Sequence, residues 1–257
     1  MIMNEVRFLL KFGKKKHIEE FVDGSLFCSS AETFWGIEKD KKLKGQGDIL
    51  EAGSRVFAQR MIMKEHSTGN ITDFNMKANV LVHFEPAKNI PVFCLFTVYD
   101  SDCCKDNNGN YAICLTEETK KVIREHFPNA DTVAIVDYPQ RFIEDVVTSI
   151  GCRIENDQVQ YFNIDKGLDA GDGQAAMDME YMKYLMQDVP PVKENGKVKY
   201  EFHADYVYRS LFCKDIFFKR EQEYRIVLPE ESISKGRHYP VKLSTDIQMM
   251  PLDEFLK

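Results

Sequence analysis

The chain has 257 residues, 44% of them hydrophobic, which is enough to bury a sizeable core in one large domain or two small ones. Its 41 acidic residues exceed its 34 basic ones, and the net charge of −7 works against non-specific attraction to phosphate backbones or anionic lipid. Nucleic acid and membranes are therefore not expected partners. No stretch approaches the roughly 18 uncharged apolar residues of a spanning helix, and the opening Met1-Ile2-Met3-Asn4-Glu5-Val6-Arg7 lacks the cationic start and apolar run of a signal peptide. These features predict a cytoplasmic location.

Val6 to Phe12 alternates, with Val6, Phe8, Leu10 and Phe12 on one side and Arg7 and Lys11 on the other, which is the period of a half-buried strand ended by Gly13. Lys14 to Asp23 carries Ile18, Phe21 and Val22 at helical spacing, and Ser25 to Ser29 reads as a short strand. Ser29 or Ser30 then caps a helix through Trp35 and Ile37, because a hydroxyl satisfies the unpaired amides of a first turn. From Ser54 the pattern becomes a series of β-rich runs, 55–64, 79–84, 92–99 and 111–115, for which antiparallel pairing is the economical arrangement. Asn108-Gly109 favours a tight reversal between the last two, and a hairpin is expected there.

Thr116-Glu117-Glu118 opens a helix to about Phe127, and Thr132 to Val136 is a short apolar strand. Pro139 starts a helix with Phe142, Ile143, Val146, Val147 and Ile150 on one face, stopped by Gly151. Residues 152–164 read as a hairpin around Asn156-Asp157, 165–173 as a polar loop, and 174–187 as a methionine- and tyrosine-rich helix ended by Pro190-Pro191. A second Asn-Gly turn lies in 193–199. A helix over 206–214, strands over 223–228 and 239–243, and a short helix near Asp253 complete the chain. The expected fold is α+β, a largely antiparallel sheet with helices packed on it, in a single domain over 1–257 with a possible sub-boundary near 188–198.

The seven cysteines, at 28, 94, 103, 104, 114, 152 and 213, are odd in number, and several lie in apolar runs, which reads as reduced structural thiols. No C-x-x-C spacing supports zinc. The loop from Asp165 lacks the oxygen ligand and the central glycine of an EF-hand. Walker, dinucleotide, H-E-x-x-H and G-x-S-x-G motifs are all absent from the sequence. His83, His126, His203 and His238 each stand alone.

Two acidic motifs remain. In Glu221-Gln222-Glu223-Tyr224-Arg225-Ile226-Val227-Leu228, an extended chain from Glu221 puts Glu221, Glu223 and Arg225 on one side, spaced about 7 Å apart. That row is costly if buried without partners and useful if it faces a cleft; the plain alternative is an exposed strand face. In Gly45-Gln46-Gly47-Asp48-Ile49-Leu50-Glu51-Ala52-Gly53, glycines permit close approach to a ligand and a helical turn places Asp48 and Glu51 together. The alternative there is a loop with Asp48 as a helix cap. Arg7, with Lys14, Lys15, Lys16 and His17 at the start of the first helix, is a candidate anion-binding group, against the plainer reading of a solvated basic run.

Leu26-Phe27-Cys28-Ser29 with Phe34, then Gly47-Asp48 with Glu51, then Thr132 to Phe142, then Lys214-Asp215 before Glu221-Gln222-Glu223-Tyr224-Arg225, is an order of motifs that resembles a widespread family of uncharacterised bacterial and phage proteins. More distantly, Arg7 on the first strand and Glu221-Gln222-Glu223 late in the chain are similar to the ADP-ribosyltransferase fold, although Ser29-Ser30 after the second strand replaces that fold's Ser-Thr-Ser element. The resemblance implies transfer from a nucleotide such as NAD, with Glu223 on the ribose hydroxyl, Glu221 positioning the acceptor and Arg7 on the pyrophosphate. Catalytic candidates are thus Glu221, Glu223 and Arg225, and ligand-binding candidates Arg7, Asp48 and Glu51. The alternatives are a non-catalytic module that binds a nucleotide or a protein in conflict between phage and host, and, with least support, a magnesium-dependent nuclease using Asp48, Glu51, Glu221 and Glu223.

Overall fold

A computed structural model describes residues 5–41, 47–58, 62–65, 67–73, 77–105, 109–169, 175–199 and 202–257. The chain is α+β, built on a six-stranded antiparallel sheet. Its strands are β1 (Val6–Gly13), β2 (Val92–Tyr99), β3 (Thr132–Val136), β4 (Glu155–Gln158), β5 (Glu223–Val227) and β6 (Gln248–Pro251). They lie in the order β4-β5-β2-β1-β3-β6. The sheet therefore assembles strands from both ends of the chain, and β2 and β1 hold its centre.

Alternation along β1 and β2 divides the core. Leu9, Phe93, Leu95, Ala134, Val136 and Ile226 face helices α1 (Lys15–Val22) and α4 (Pro139–Ile150), meeting Ile18, Phe21, Phe142, Ile143 and Val146. Each such buried Leu, Ile or Phe contributes about 1.5–3 kcal/mol relative to exposure. Helix α4 begins with Pro139, whose fixed φ suits a first helical position, and ends at Gly151 with φ 72°, a left-handed stop that favours glycine. On the opposite face Leu10, Phe12, Phe96, Val98, Val133 and Ile135 pack with Ile123 of α3 (Glu117–His126) and with Leu252 and Leu256.

A third apolar cluster, including Ala52, Val92, Val207, Leu211, Phe212 and Val227, lies under helix α2 (Ala31–Lys41) and the 3-10 stretch Ala204–Phe212. Val92 and Val227 continue the face that carries Phe96. Between these two clusters the same face carries Glu223 and Arg225, paired in register with Phe96 and Cys94. A charged seam thus separates two apolar patches.

Several expected elements take other forms. Residues 152–164 do not fold on themselves: Glu155–Gln158 pairs antiparallel with β5, and Gln160–Phe162 pairs parallel with Cys213–Asp215. The expected helix over 206–214 is 3-10 to Phe212 and then strand, and that over 174–187 is helical only from Met179 to Leu185. Tyr111–Ile113 pairs antiparallel with Cys103–Lys105 rather than with β2, and residues 106–108 lie outside the described residues. That pairing brings Cys104 and Cys114 to a Cα separation of 5.7 Å in a disulfide, which corrects the expectation of uniformly reduced thiols. No helix among the described residues is long and apolar enough to cross a membrane.

Candidate functional site

The β1–β2 register runs as far as Leu10↔Phe96, beyond which the two strands part. A cavity of about 380 Å³ opens at this end of the sheet. It is lined by the end of β1 (Leu10 to Lys14), by Phe34 of α2, by Gly47, Asp48 and Glu51, by Cys94 to Phe96, by His126 to Ala130, and by Lys214, Phe218, Glu221, Glu223 and Arg225. The two acidic motifs, far apart in sequence, therefore share one wall.

Asp48 and Glu51 are carried by a turn that its neighbours pin on three sides. Ile49 N donates to Glu38 Oε2 at 2.6 Å, Trp35 Nε1 donates to Glu51 O at 2.7 Å, and His83 Nε2, stacked on Trp35 at 4.0 Å, bonds Ile49 O at 2.7 Å. Gly47 is needed for approach rather than for φ: a Cβ there would lie 2.4 Å from Glu38 N and 2.6 Å from Phe34 O. The stretch 49–52 is a hydrogen-bonded turn rather than a helix, and it places Asp48 and Glu51 at the same cavity. Glu51 N closes on Asp48 O at 3.1 Å and Leu50 N on Asp48 Oδ1 at 2.9 Å, the self-bonding turn that Asp favours.

Arg225, 1% exposed, spends its donors within the protein. Nε donates to Glu223 Oε1 at 2.9 Å, Nη2 donates to Glu51 Oε2 at 2.9 Å and Glu223 Oε2 at 3.2 Å, and Nη1 donates to Glu51 Oε1 and the Leu211 carbonyl. A guanidinium has five N–H donors, and all five are placed. Lys214 Nζ bridges Glu223 Oε2 at 3.1 Å and Glu221 Oε2 at 2.6 Å, and Glu221 Oε1 meets His126 Nδ1 at 2.9 Å. Tyr161 Oη accepts from Glu223 N at 2.9 Å, fixing the start of β5.

Glu221 does not belong to the strand. It ends the 3-10 stretch Ile216–Glu221, and Gln222, at φ 43°, turns the chain before β5 begins at Glu223. Glu223 and Arg225 share a strand face as period two predicts, whereas Glu221 reaches the cavity from a separate element. A non-glycine residue in the left-handed region is costly by about 1 kcal/mol or more; Ala52, at φ 46°, follows Glu51 in the same conformation.

Two carboxyls at this cavity, those of Glu223 and Asp48, are shifted in opposite directions. Burial works against the charge of Glu223, but Arg225 and Lys214 outweigh it and hold the carboxyl well below its usual range. Asp48 is 4% exposed, Oδ2 has no hydrogen-bond partner, and burial, followed by the Glu51 charge, pushes its carboxyl up to about 7. Lys214 and Arg225 are both held charged by the glutamates despite burial. Against these two cations stand the carboxyls of Glu51, Glu221 and Glu223, so this part of the wall carries a surplus of negative charge when all three are ionised.

Arg7 lies elsewhere. A register shift between Val6 and Phe8 places it at the start of β1, about four residues or 13 Å along the strand from Lys11. There it pairs with Asp100 and with Glu5 at 2.7 Å, and stacks 4.2 Å over Tyr111. The start of α1 is also occupied, because Lys15 N donates to Asp131 Oδ1 at 2.7 Å, and His17 is exposed beside Glu20; of the basic run only Lys14 lines the cavity. Sequence reasoning missed His126 and Lys214 as site residues. Lys214 was signalled by its place shortly before Glu221 and Glu223; nothing local to His126 marks it.

Among the described residues no three His, Cys, Asp or Glu side chains are grouped to hold a metal ion. Comparison of the chain with protein-family models, curated proteins and solved structures finds no match.

Proposed function

We propose that this cavity binds a nucleotide such as NAD and breaks the bond between its ribose and its base, passing the ribosyl group to water or another acceptor. The observation that carries the reading is the pair of carboxyls shifted in opposite directions, since environments that drive two such groups apart leave one, Asp48, able to hold a proton for donation and keep the other, Glu223, charged in its framework. Asp48 donates a proton or hydrogen bond to the departing base. Glu221 and Glu223, the carboxyls bridged by Lys214, stand where they oppose the positive charge that develops on the ribose ring. Glu221 faces substrate and orients the acceptor, and His126, bonded to it, takes the acceptor's proton. Glu223, Glu51 and Arg225 act as positioning residues, and Lys14 at the cavity wall, 3.7 Å from Asp131, takes the phosphate, the part the resemblance gives to Arg7.

Purified protein incubated with NAD and with purine nucleotides, followed by chromatography of the released base, tests this reading. Base release that falls roughly 100-fold in Asp48→Asn, with Glu221→Gln also impaired, supports it; a chain that releases no base from any of them contradicts it. One observation favours a second reading, a non-catalytic binding module: every donor of Arg225 and both oxygens of Glu51 are used internally, as in a structural framework. That reading predicts stabilisation by a nucleotide, about 2.7 kcal/mol at 100 times its dissociation constant, without turnover.

A further inference from the structure

Lys11 lines the cavity but stands outside the ionic cluster. Its Nζ donates to the Cys94 carbonyl at 2.7 Å and lies 4.4 Å from the centre of the Phe93 ring. These contacts hold the amine by one neutral acceptor and an aromatic face. In its uncharged form an amine that donates one N–H to a carbonyl keeps its lone pair for a reacting carbon, and desolvation of a lysine favours that form.

We propose that Lys11 is a carbonyl-reactive amine, which condenses in this cavity with the aldehyde or ketone carbon of a small compound such as an open-chain sugar. Nζ attacks the carbonyl carbon, and the C–N bond forms as the C=O π pair moves to oxygen. That oxygen takes one proton to give a carbinolamine. A second proton, supplied by the Asp48 carboxyl of the same cavity, lets the C–O bond break and water leave. Nitrogen loses two protons in all and the departing oxygen gains two, so the imine forms with no oxidant or reductant. The activity is separate from nucleotide cleavage and needs no nucleotide.

Burial lowers the basicity of Lys11. The titratable groups around it are Cys94, Cys28 and Glu223, each of which pulls the other way. Both thiols are raised by their own burial, Cys28 to about 12, and are neutral at pH 7, which leaves Glu223 as the ionised neighbour. Lys214 and Arg225, which also line the cavity, are paired with their own glutamates.

The test is reductive trapping with glyceraldehyde and cyanoborohydride at pH 7, followed by peptide mass spectrometry of the full chain. The expected result is an adduct on Lys11 while the exposed Lys14 and Lys15 remain largely unmodified, with that adduct lost in Lys11→Arg, which keeps a donor for the Cys94 carbonyl but has no nucleophilic amine. Labelling spread over surface lysines with Lys11 spared, or no adduct on any lysine, overturns the proposal. Because the wild-type chain alone decides between these outcomes, the test stands even if the variant fails to fold, and it is unaffected by whether any nucleotide is cleaved.

Discussion

Arg225 and Arg7 lie on strands of one sheet and each meets two carboxylates, yet they differ in what surrounds the pair. Arg225 is 1% exposed with every N–H committed, while the side chain of Arg7 keeps 26% of its surface in water. Coulomb attraction between groups in water is weak and screened, whereas a buried charge deprived of its partner bears the full desolvation cost. Sequence alone ranks the two equally, as arginines in β-rich runs beside acids. Burial makes one a framework for the cavity and the other a surface clasp to Asp100.

The largest expected effect breaks that framework. Arg225→Met leaves the buried Glu51 without a cation and Glu223 with Lys214 alone, and should destabilise the chain by about 3–5 kcal/mol, read as a lower urea midpoint at unchanged slope. Pairing Arg225→Met with Glu51→Gln should recover part of the loss, because the two sites are in direct contact and their effects do not add.

Next in size is Asp48→Asn, with the opposite sign. The folded carboxyl titrates near 7 against an ordinary 3.8, so between those pH values the unfolded chain has released a proton that the folded chain keeps, and wild-type stability falls as pH rises through that window. Asparagine retains an oxygen for Leu50 N and removes the charge. The variant should be more stable than wild type at pH 8 by up to about 4 kcal/mol, at about 1.4 kcal/mol per pH unit, with the gain vanishing below pH 4. Glu223 works the other way: its stabilisation is present above the ordinary glutamate range and is lost as acid protonates it. Denaturation midpoints measured across pH 3–9 separate the two slopes.

A smaller effect tests the element that delivers Glu221. Asp215 Oδ1 accepts from Phe217 N at 3.0 Å, and Oδ2 accepts from Asp165 N at 2.9 Å, so Asp215 both caps Ile216–Glu221 and ties it to the neighbouring loop. Asp215→Ala should cost about 1–2 kcal/mol. The smallest effect belongs to the other arginine: Arg7→Met should leave the midpoint unchanged within error and should leave base release unaltered, since Arg7 does not line the cavity.

Period and punctuation made the sheet legible. The apolar alternation of β1, the Pro139 start and Gly151 stop of α4, and the shared face of Glu223 and Arg225 all follow from local chemistry. Glu221 broke the pattern because Gln222 adopts a left-handed turn, which no residue type at that position announces. The meeting of Glu51 with Arg225 spans 174 residues of sequence and depends on how β5 sits beside β2, a tertiary fact with no local signal. The misplacement of Arg7 has a similar origin, since one irregularity in the β1–β2 register sets its surroundings. Residues 45 and 46 of the Asp48 motif lie outside the described residues, so the close approach expected of its glycines is seen at Gly47 and, where a Cβ would lie 2.8 Å from Val82 O, at Gly53.

The account rests on two carboxyls in one cavity being held in opposite states, and this can be observed directly. Carbon-detected NMR of the side-chain carboxyls, with Asp48 assigned through Asp48→Asn, follows each group through pH 3–9. The account predicts that Asp48 titrates with a midpoint close to 7 while Glu223 stays ionised across the range. A midpoint for Asp48 in the ordinary carboxylate range near 4 would contradict it.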